Sequence, residues 1–418
     1  MNLPDDASLA RAAAETAARR SYGKLVAYLA ARSRDVAAAE DALSEAFASA
    51  LADWPTHGIP ANPEAWLLTA ARRRTIDAVR RAKSAALGGD HLKMIAAELE
   101  EAASEPAEIP DRRLALMFAC AHPAIDAAIR APLILQCVLG FDAAAIGSAF
   151  LIAPATMGQR LVRAKTKIHE AGIPFRIPER EDLAARLDAV LDAVYAAFAE
   201  GWSDPSGADL RRRDLSGEAI WLGRLVAELL PDQPEALGLL ALMLHAEARR
   251  GARRDAAGNY VPLAEQSVGA WDHMMIEQAE MLLLRAQTQQ QIGRYQLEAA
   301  VQSAHAARRT LGHSDWPAIV TLYDGLLALT ASPVIAVNRA VALAEVEGTA
   351  AGLMALDALG ADKRITEYQP YWAARAALLA RLGDQEGADN AYALAIGLES
   401  DPALRTFLQQ RRSALGAG

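Results

Sequence analysis

Cysteine is scarce in this chain, with two residues in 418, and that scarcity excludes a fold held together by disulfides. Cys120 and Cys137 belong to no CxxC pair, so we expect both to be buried, reduced thiols. Long apolar runs are also missing, since none approaches the ~20 residues that a membrane-spanning helix needs. The start of the sequence has no basic segment followed by an apolar core. We therefore predict no signal peptide and a cytoplasmic protein that does not contact membranes.

Motifs that carry chemistry are missing as well. The sequence has no glycine-rich phosphate loop, no nucleophile motif and no paired cysteine or histidine ligands. Cys120 and His122 lie close together in the sequence, but two potential ligands without a second pair are far more often core residues. We expect no catalytic residue, no cofactor and no metal.

An excess of positive charge is missing too, because the formal net charge is -9 at pH 7. Any contact with nucleic acid must then come from local basic patches. Hydrophobic residues make up 52% of the chain and aromatic residues 6%, and much of the hydrophobic share is alanine. Few β-branched runs compete with it, so the composition predicts an all-α protein. A chain of 418 residues allows two or three domains.

The stretch from Asn62 to Lys83 has the pattern of a basic amphipathic helix. Asn62 can cap the first free amides, and Pro63 suits the first helical position. One stripe of this helix is apolar, and the opposite stripe combines an exposed aromatic ring with charged groups. The opposite stripe consists of Trp66, Arg73, Asp77, Arg80 and Arg81. Arginines neutralise phosphates and an aromatic ring can meet an unstacked base, so this face suits nucleic acid; a solvated surface is the alternative.

An acidic helix precedes the basic one, over the run from Asp35 to Trp54. Its predicted inner stripe is Val36, Leu43, Phe47, Ala50, Leu51 and Trp54, and its predicted outer residues are Glu40, Asp41, Ser44 and Glu45. On its own, such an acidic face most often only keeps the protein soluble. The loop at 55–62, which contains two prolines and a glycine, is predicted to be a constrained connection between the two helices.

The stretch FDAAAIGSAFLIAPATMGQRLVRAKTKI has the pattern of a helix-turn-helix. Asp142 can cap a first helix, and Pro154 suits the start of a second one. In that second helix the predicted core residues are Met157, Leu161, Ala164 and Ile168. The predicted outer residues are Thr156, Gln159, Arg160, Arg163 and Lys167, which are hydrogen-bonding and cationic side chains suited to base edges and phosphates. A helical hairpin within a bundle is the alternative.

After residue 178 the pattern becomes a series of roughly a dozen helices separated by turns rich in proline and glycine. The segment YWAARAALLARLGDQEGADNAYALAIGLESDP has the leucine-glycine turn, the spaced small residues and the closing proline of a tetratricopeptide repeat. Weaker relatives of this unit precede it. Such units bury their faces only by stacking, so we predict a compact helical solenoid or bundle.

The motifs of the first segment together resemble a known family. SYGKLVAYL, AEDALSEAFASAL, a tryptophan with a proline-containing loop, and PEAWLLTAARRRTIDAVRR resemble region 2 of an extracytoplasmic-function (ECF) sigma factor of the sigma-70 family. In that family the acidic helix docks on the largest RNA polymerase subunit, and the loop and basic helix capture the melted minus-10 promoter element. The resemblance implies polymerase contacts at Glu40, Asp41 and Glu45. It implies minus-10 contacts in the loop that ends at Asn62 and at Arg73, Asp77 and Arg80, to which the residue pattern adds Trp66.

The run AIGSAFLIAPATMGQRLVRAKTKI is similar to sigma region 4, which reads the minus-35 element in the major groove. The whole chain resembles the sigma factors with a C-terminal tetratricopeptide-like extension, often classed as ECF group 42. The resemblance implies that the extension controls activity and that a small DGPF-type protein is a candidate partner. The predicted domains are region 2 at 1–83, a linker at 84–110, region 4 at 111–178 and the helical extension at 179–418.

The predicted function is therefore that of a sigma factor, which binds core RNA polymerase and directs it to promoter DNA without being an enzyme. A stand-alone helix-turn-helix regulator, with a helical-repeat half that senses a ligand or peptide, is the alternative. A helical enzyme is a third hypothesis. It rests on scattered groups only, namely His245, Glu247, His273 and Glu277.

Overall fold

The structure, a computed structural model, describes residues 6–85, 110–150, 152–202 and 210–415. The chain divides into two compact units, residues 1–200 and residues 201–418. Regular structure in the described ranges is helical, apart from an isolated antiparallel bridge between Arg254 and Tyr260. The prediction of an all-α protein is confirmed. The predicted linker lies, except for its ends, outside the described residues.

In the first unit, α1, α2 and α3 pack on one another, while α4 and α5 pack together and against α1. A short α6 and a longer α7 form a helical hairpin that contacts α2 and α5. The largest side chains buried in this unit include Trp54, Phe118 and Leu43. The helices in chain order are α1 (Asp6–Ser33), α2 (Val36–His57), α3 (Pro63–Ala85), α4 (Arg113–Cys120), α5 (Ala127–Leu139), α6 (Ala143–Ala149), α7 (Pro154–Glu170) and α8 (Arg180–Trp202), which ends in the second unit.

Side-chain caps fix where these helices begin. The Asp35 carboxylate accepts a hydrogen bond from the Ala38 amide at 3.0 Å and starts α2. The Asn62 side chain accepts one from the Ala65 amide at 3.1 Å at the start of α3, and Asp142 accepts one from Ala145 at 2.7 Å before α6. Each cap satisfies an amide that has no partner within its own helix. The predicted helix starts at Asn62 and Asp142 are confirmed.

Two residues of α2 depart from their predicted faces. Glu40, predicted to point outward, is 8% exposed, whereas Leu51, predicted to point inward, is 48% exposed. Both predictions were wrong for one reason. Glu40 and Leu51 lie on the same side of α2, about 16 Å apart along the axis. α7 covers this side beside Glu40, with Lys165 bonded to its carboxylate, and leaves Leu51 open to solvent.

In the second unit, helices pack in sequence: α10 packs with α11 and α12, α12 with α14, α14 with α15, α15 with α16, and α18 with α19. The buried clusters follow the same order along the chain, from Val301 and Ile319 through Val337 and Tyr371 to Tyr392. The helices are α9 (Leu210–Leu229), α10 (Pro234–Glu247), α11 (His273–Gln287), α12 (Arg294–Ala306), α13 (Arg308–Leu311), α14 (Trp316–Thr330), α15 (Pro333–Val346), α16 (Thr349–Asp357), α17 (Lys363–Thr366), α18 (Gln369–Leu382), α19 (Gln385–Leu398) and α20 (Pro402–Ala414).

Candidate nucleic-acid interface

The basic helix α3 presents less aromatic surface than its sequence predicts. The Trp66 ring is half-buried, with its centroid 5.5 Å from that of Trp54 and an angle of 71° between the ring planes. Trp54 itself is 1% exposed. The edge-to-face contact between the two rings withdraws part of Trp66 from solvent, because aromatic pairs favour this geometry. The ring predicted to be exposed is therefore half-buried.

The three consecutive arginines of α3 have three different environments. Arg73 is exposed. Arg72 is buried, and its Nη2 donates a hydrogen bond to the Tyr28 hydroxyl at 2.5 Å while its guanidinium carbon lies 5.1 Å from the ring centroid. Arg74 lies beside α2, with its Nε 3.6 Å from a Glu45 carboxylate oxygen. Arg74 is exposed as well, but it shares its charge with Glu45, whereas Arg73 is exposed without such an acidic neighbour among the described contacts. The side chains of Asp77 and Arg80 lie outside the described part of the chain.

The acidic helix α2 exposes Asp41, Ser44 and Glu45 on one surface. Glu40 adjoins them but is buried, and its Oε2 accepts a hydrogen bond from Lys165 Nζ at 2.6 Å. Asp41 and Glu45, at positions i and i+4, lie on neighbouring turns of the same face. The exposed pair suits a basic protein partner, while Glu40 in this structure is occupied by the chain itself.

The turn between α6 and α7 depends on a glycine. A Cβ atom built on Gly147 would lie 2.6 Å from the Ile152 carbonyl oxygen, which is closer than any side chain allows. The Gly147 carbonyl accepts a hydrogen bond from the Ile152 amide at 2.8 Å. The chain therefore turns tightly over the end of α6, and this turn sets the angle at which α7 leaves it.

The second helix of this hairpin has the two faces that its sequence predicts. Its core residues, which are all buried, are Met157, Leu161, Ala164 and Ile168. Its exposed residues include Thr156, Gln159, Arg160, Arg163 and Lys167. The side chains of these five make no hydrogen bond or ion pair within the described residues, so cations and hydrogen-bonding groups stand free along one face. Such a face can hold phosphates and base edges in a groove of DNA.

Comparison with known proteins identifies two segments of the chain. Residues 18–85, from within α1 to the end of α3, match sigma-70 region 2. Residues 186–287 match a family of unknown function, DUF6596. An uncharacterized protein of Rhizobium meliloti (strain 1021) is 36% identical over 405 residues, which cover 95% of this chain and 94% of that protein. The chain belongs to the family of that protein, and its first domain is a sigma-70 region 2. No solved structure matches the chain.

Sigma-70 region 2 is a domain of a family of transcription initiation factors that are not enzymes. The domain implies binding to core RNA polymerase and to promoter DNA. In this sigma-70 region 2, α2 supplies the acidic surface and α3 the basic one. Among the described helices, none combines the length and apolarity that crossing a membrane requires.

The potential metal ligands of the first unit pair at most two at a time among the described residues. Cys120 and Cys137 are both buried, and the hydrogen bond between the two thiols, together with burial, raises the pKa of the Cys137 thiol. His122 is half-buried, and desolvation with the nearby Arg186 and Arg130 lowers its pKa. Its Nδ1 accepts a hydrogen bond from the Ala124 amide at 3.1 Å. In the described ranges, no three side chains of metal-binding type come together.

The groups behind the enzyme hypothesis occupy structural or solvent positions in the second unit. His245 is 1% exposed, and burial lowers its pKa to about 3. Glu247 is paired with Arg250, with 2.7 Å between Oε1 and Nε. His273 and Glu277 are exposed on α11. This distribution gives no shared reaction centre among the four groups.

Proposed function

We propose that this protein is a sigma factor that binds core RNA polymerase and directs promoter-specific transcription initiation. The observation that carries the proposal is the free polar and cationic face of α7, in the same compact unit as a sigma-70 region 2. A promoter-specificity subunit needs two DNA surfaces, one for melted DNA and one for duplex. α3 and α7 are suited to these two tasks.

The proposed contacts follow the faces described above. For core polymerase they are Glu40, Asp41 and Glu45. For the melted minus-10 element they are Asn62, Trp66, Arg73, Asp77 and Arg80. For the minus-35 duplex they are Thr156, Gln159, Arg160, Arg163 and Lys167. Arginine and glutamine suit base edges in a major groove, whereas Lys167 suits a phosphate.

We further propose that the protein is an ECF-type factor of the group 42 kind and acts in the cytoplasm. Its extension, taken as residues 179–418, would be a tetratricopeptide-like domain that modulates activity, and a small DGPF-type protein is a candidate partner. The sequential packing of α10 to α19 and the ordered series of core clusters support a stacked repeat. Region 2 would span 1–83 and region 4 would span 111–178.

Transcription from a randomised promoter library tests the proposal. Purified core polymerase is combined with the full chain, with residues 1–202, or with no added factor. The shorter form keeps α8, because Arg186 donates a hydrogen bond to the Phe118 carbonyl at 2.9 Å within the first unit. The full chain is expected to select a common promoter sequence. A changed yield with residues 1–202 would measure the effect of the extension.

The same experiment separates the alternative. A stand-alone regulator would bind a DNA sequence without binding core polymerase, and the library would then give no selective transcripts. That result would contradict the proposal and favour the regulator. A variant carrying Arg160→Ala and Arg163→Ala serves as the control for α7, since it should lose selection while keeping polymerase binding.

A further inference from the structure

A loop early in the second unit folds back onto the last helix. The loop, residues 254–266, starts at the antiparallel bridge between Arg254 and Tyr260. Arg254 Nη2 donates a hydrogen bond at 2.7 Å to Asp401 Oδ2, and Asp401 caps α20. The Tyr260 ring meets the Phe407 ring edge to face, with 5.4 Å between the centroids. Arg254 and Asp401 are 147 positions apart, so these contacts form only once the helices between them have stacked.

The loop and the last helices border an open pocket of about 700 Å³. Tyr260 and Pro262 line it from the loop, and Phe407 lines it from α20. α18 contributes three alanines at successive turns, Ala373, Ala377 and Ala380. Because alanine side chains are small, they leave space opposite the aromatic rings. A mostly apolar pocket of this size is typical of small-molecule sites, which measure about 300 to 1,000 Å³.

The polar groups that line the pocket are mainly hydrogen-bond donors. Arg381 reaches it from α18 and Arg411 from α20, whereas Glu265 is the single carboxylate that lines it among the described residues. Burial raises the pKa of the Tyr260 and Tyr392 hydroxyls, so both stay protonated and can donate. An occupant with acceptor atoms and a negative charge suits such a lining.

The two arginines are held by ion pairs that a ligand can replace. Arg411 pairs with Glu265, and the side chains are 49% and 54% exposed. Arg381 Nη1 lies 2.5 Å from Glu345 Oε1, a pair that is also exposed to solvent. Ion pairs as exposed as these contribute little to stability. Gln369, a further lining residue, has a buried Nε2 without a hydrogen-bond partner among the described residues, and an acceptor brought to it would remove the cost of that unpaired donor.

We propose that this pocket binds a small aromatic anion, with one or two fused rings and a carboxylate or sulfonate group. The rings of the ligand lie between the alanines of α18 and the rings of Tyr260 and Phe407, since aromatic pairs favour edge-to-face and offset contacts. The anionic group meets Arg411, whose guanidinium carbon lies 5.0 Å from the Phe407 ring centroid, or Arg381. The inference concerns the second unit by itself and does not depend on the proposed sigma function.

The probe for this site is naphthalene-2-carboxylate, which is flat, apolar and anionic. Saturation-transfer NMR measures its binding to the full chain. Naphthalene-2-methanol and naphthalene-2-methylamine present the same rings with a neutral and a cationic group. We expect a dissociation constant of about 0.1 mM for the carboxylate, as its size allows. The alcohol and the amine should bind at least about five-fold more weakly, because neither can pair with an arginine.

Two substitutions test the two parts of the site. Ala377→Phe places a ring inside the pocket and should weaken binding of the carboxylate more than about ten-fold, because it takes the space of the ligand. Arg411→Gln removes the charge and should weaken the carboxylate about five-fold while leaving the alcohol unchanged. Ala350→Phe and Arg405→Gln make the same changes at exposed positions of α16 and α20 outside the pocket, and should bind like the wild type.

Circular dichroism checks that each variant is folded, and Arg411→Gln decides the test if Ala377→Phe is not. Binding of the carboxylate that both pocket variants weaken and both controls keep supports the inference. No binding at several millimolar carboxylate, or undiminished binding by folded Ala377→Phe, overturns the site. Binding of the alcohol or the amine as tight as that of the carboxylate, or undiminished carboxylate binding by Arg411→Gln, overturns the anionic ligand.

Discussion

The two basic helices of the first unit use their cations differently. α3 carries three consecutive arginines, of which Arg72 is buried on Tyr28, Arg73 is exposed and Arg74 lies beside Glu45. α7 spaces its free cations at positions i, i+3 and i+7, and Arg160, Arg163 and Lys167 all remain exposed. Consecutive residues of a helix point about 100° apart, whereas residues three, four or seven apart share a face. Consecutive arginines therefore place fewer cations on one face of a helix than arginines and lysines spaced three, four or seven residues apart.

The largest effect expected from this comparison is on stability, at Arg72. Arg72→Ala removes the buried guanidinium that bonds the Tyr28 hydroxyl and stacks on its ring, and it should lower the unfolding free energy by roughly 3 kcal/mol. Arg73→Ala, at an exposed position, should change it by less than about 0.5 kcal/mol. Urea unfolding of residues 1–202 measures both. Equal effects would remove the distinction between the two arginines.

The turn that orients α7 gives the next effect. Gly147→Ala pushes a methyl group against the Ile152 carbonyl oxygen, 2.6 Å away, and should destabilise the hairpin by roughly 2 kcal/mol. Gly158→Ala is the matched control, because its Cβ would lie 3.8 Å from the Ala143 side chain. It should stabilise α7 by up to about 1 kcal/mol. Thermal unfolding of the two variants should shift in opposite directions, and a shift in the same direction would contradict the prediction.

The exposed cations of α7 should affect DNA binding without affecting stability. Arg160→Ala and Arg163→Ala should each weaken binding to the selected promoter by about 1 to 3 kcal/mol if the side chain reads a base, and by less if it contacts phosphate. Arg176→Ala, an exposed arginine beyond the end of α7, removes the same charge and is the control. Binding is compared on promoter and random DNA. Equal losses on both would show that neither arginine reads sequence.

The smallest effect is expected from the acidic surface of α2, which packs beside α3, and it concerns polymerase binding. Asp41→Lys combined with Glu45→Lys should weaken core polymerase binding about five- to ten-fold, because it reverses two charges on the proposed binding surface. The fold should be kept, because exposed charge pairs such as Glu45 with Arg74 contribute only about 0 to 1 kcal/mol to stability. Glu179→Lys with Asp182→Lys makes the same change of charge at exposed positions outside α2. Titration with core polymerase measures both variants. Unchanged affinity in the first would remove these residues from the polymerase surface.

What the sequence could predict depended on whether the deciding contact was local. The caps at Asn62 and Asp142 and the two faces of α7 follow from spacing within one helix, and they were predicted correctly. The burial of Arg72 depends on Tyr28, which is 44 residues away. One local signal for it existed, since Arg72 lies four residues after the buried Leu68 and so shares its side of α3.

The burial of Glu40 could not be predicted for the same reason. The periodicity of α2 leaves Glu40 among acidic residues that look solvated, and only Lys165 of a distant helix changes its environment. Trp66 is a similar case, because its half-burial depends on Trp54 across the intervening loop. Helical pattern identifies which residues share a face, but the neighbour that covers the face comes from tertiary packing.

The close approach at Gly23 also gives a way to compare relatives. Even the methyl group of alanine would collide with the Val138 carbonyl oxygen, 1.9 Å away, so α1 and α5 can touch in this way only when glycine stands between them. A relative with any larger residue at this position must shift α1 away from α5 at this point. That single position is therefore an evolutionary marker of which members of the family can pack α1 against α5 in this way.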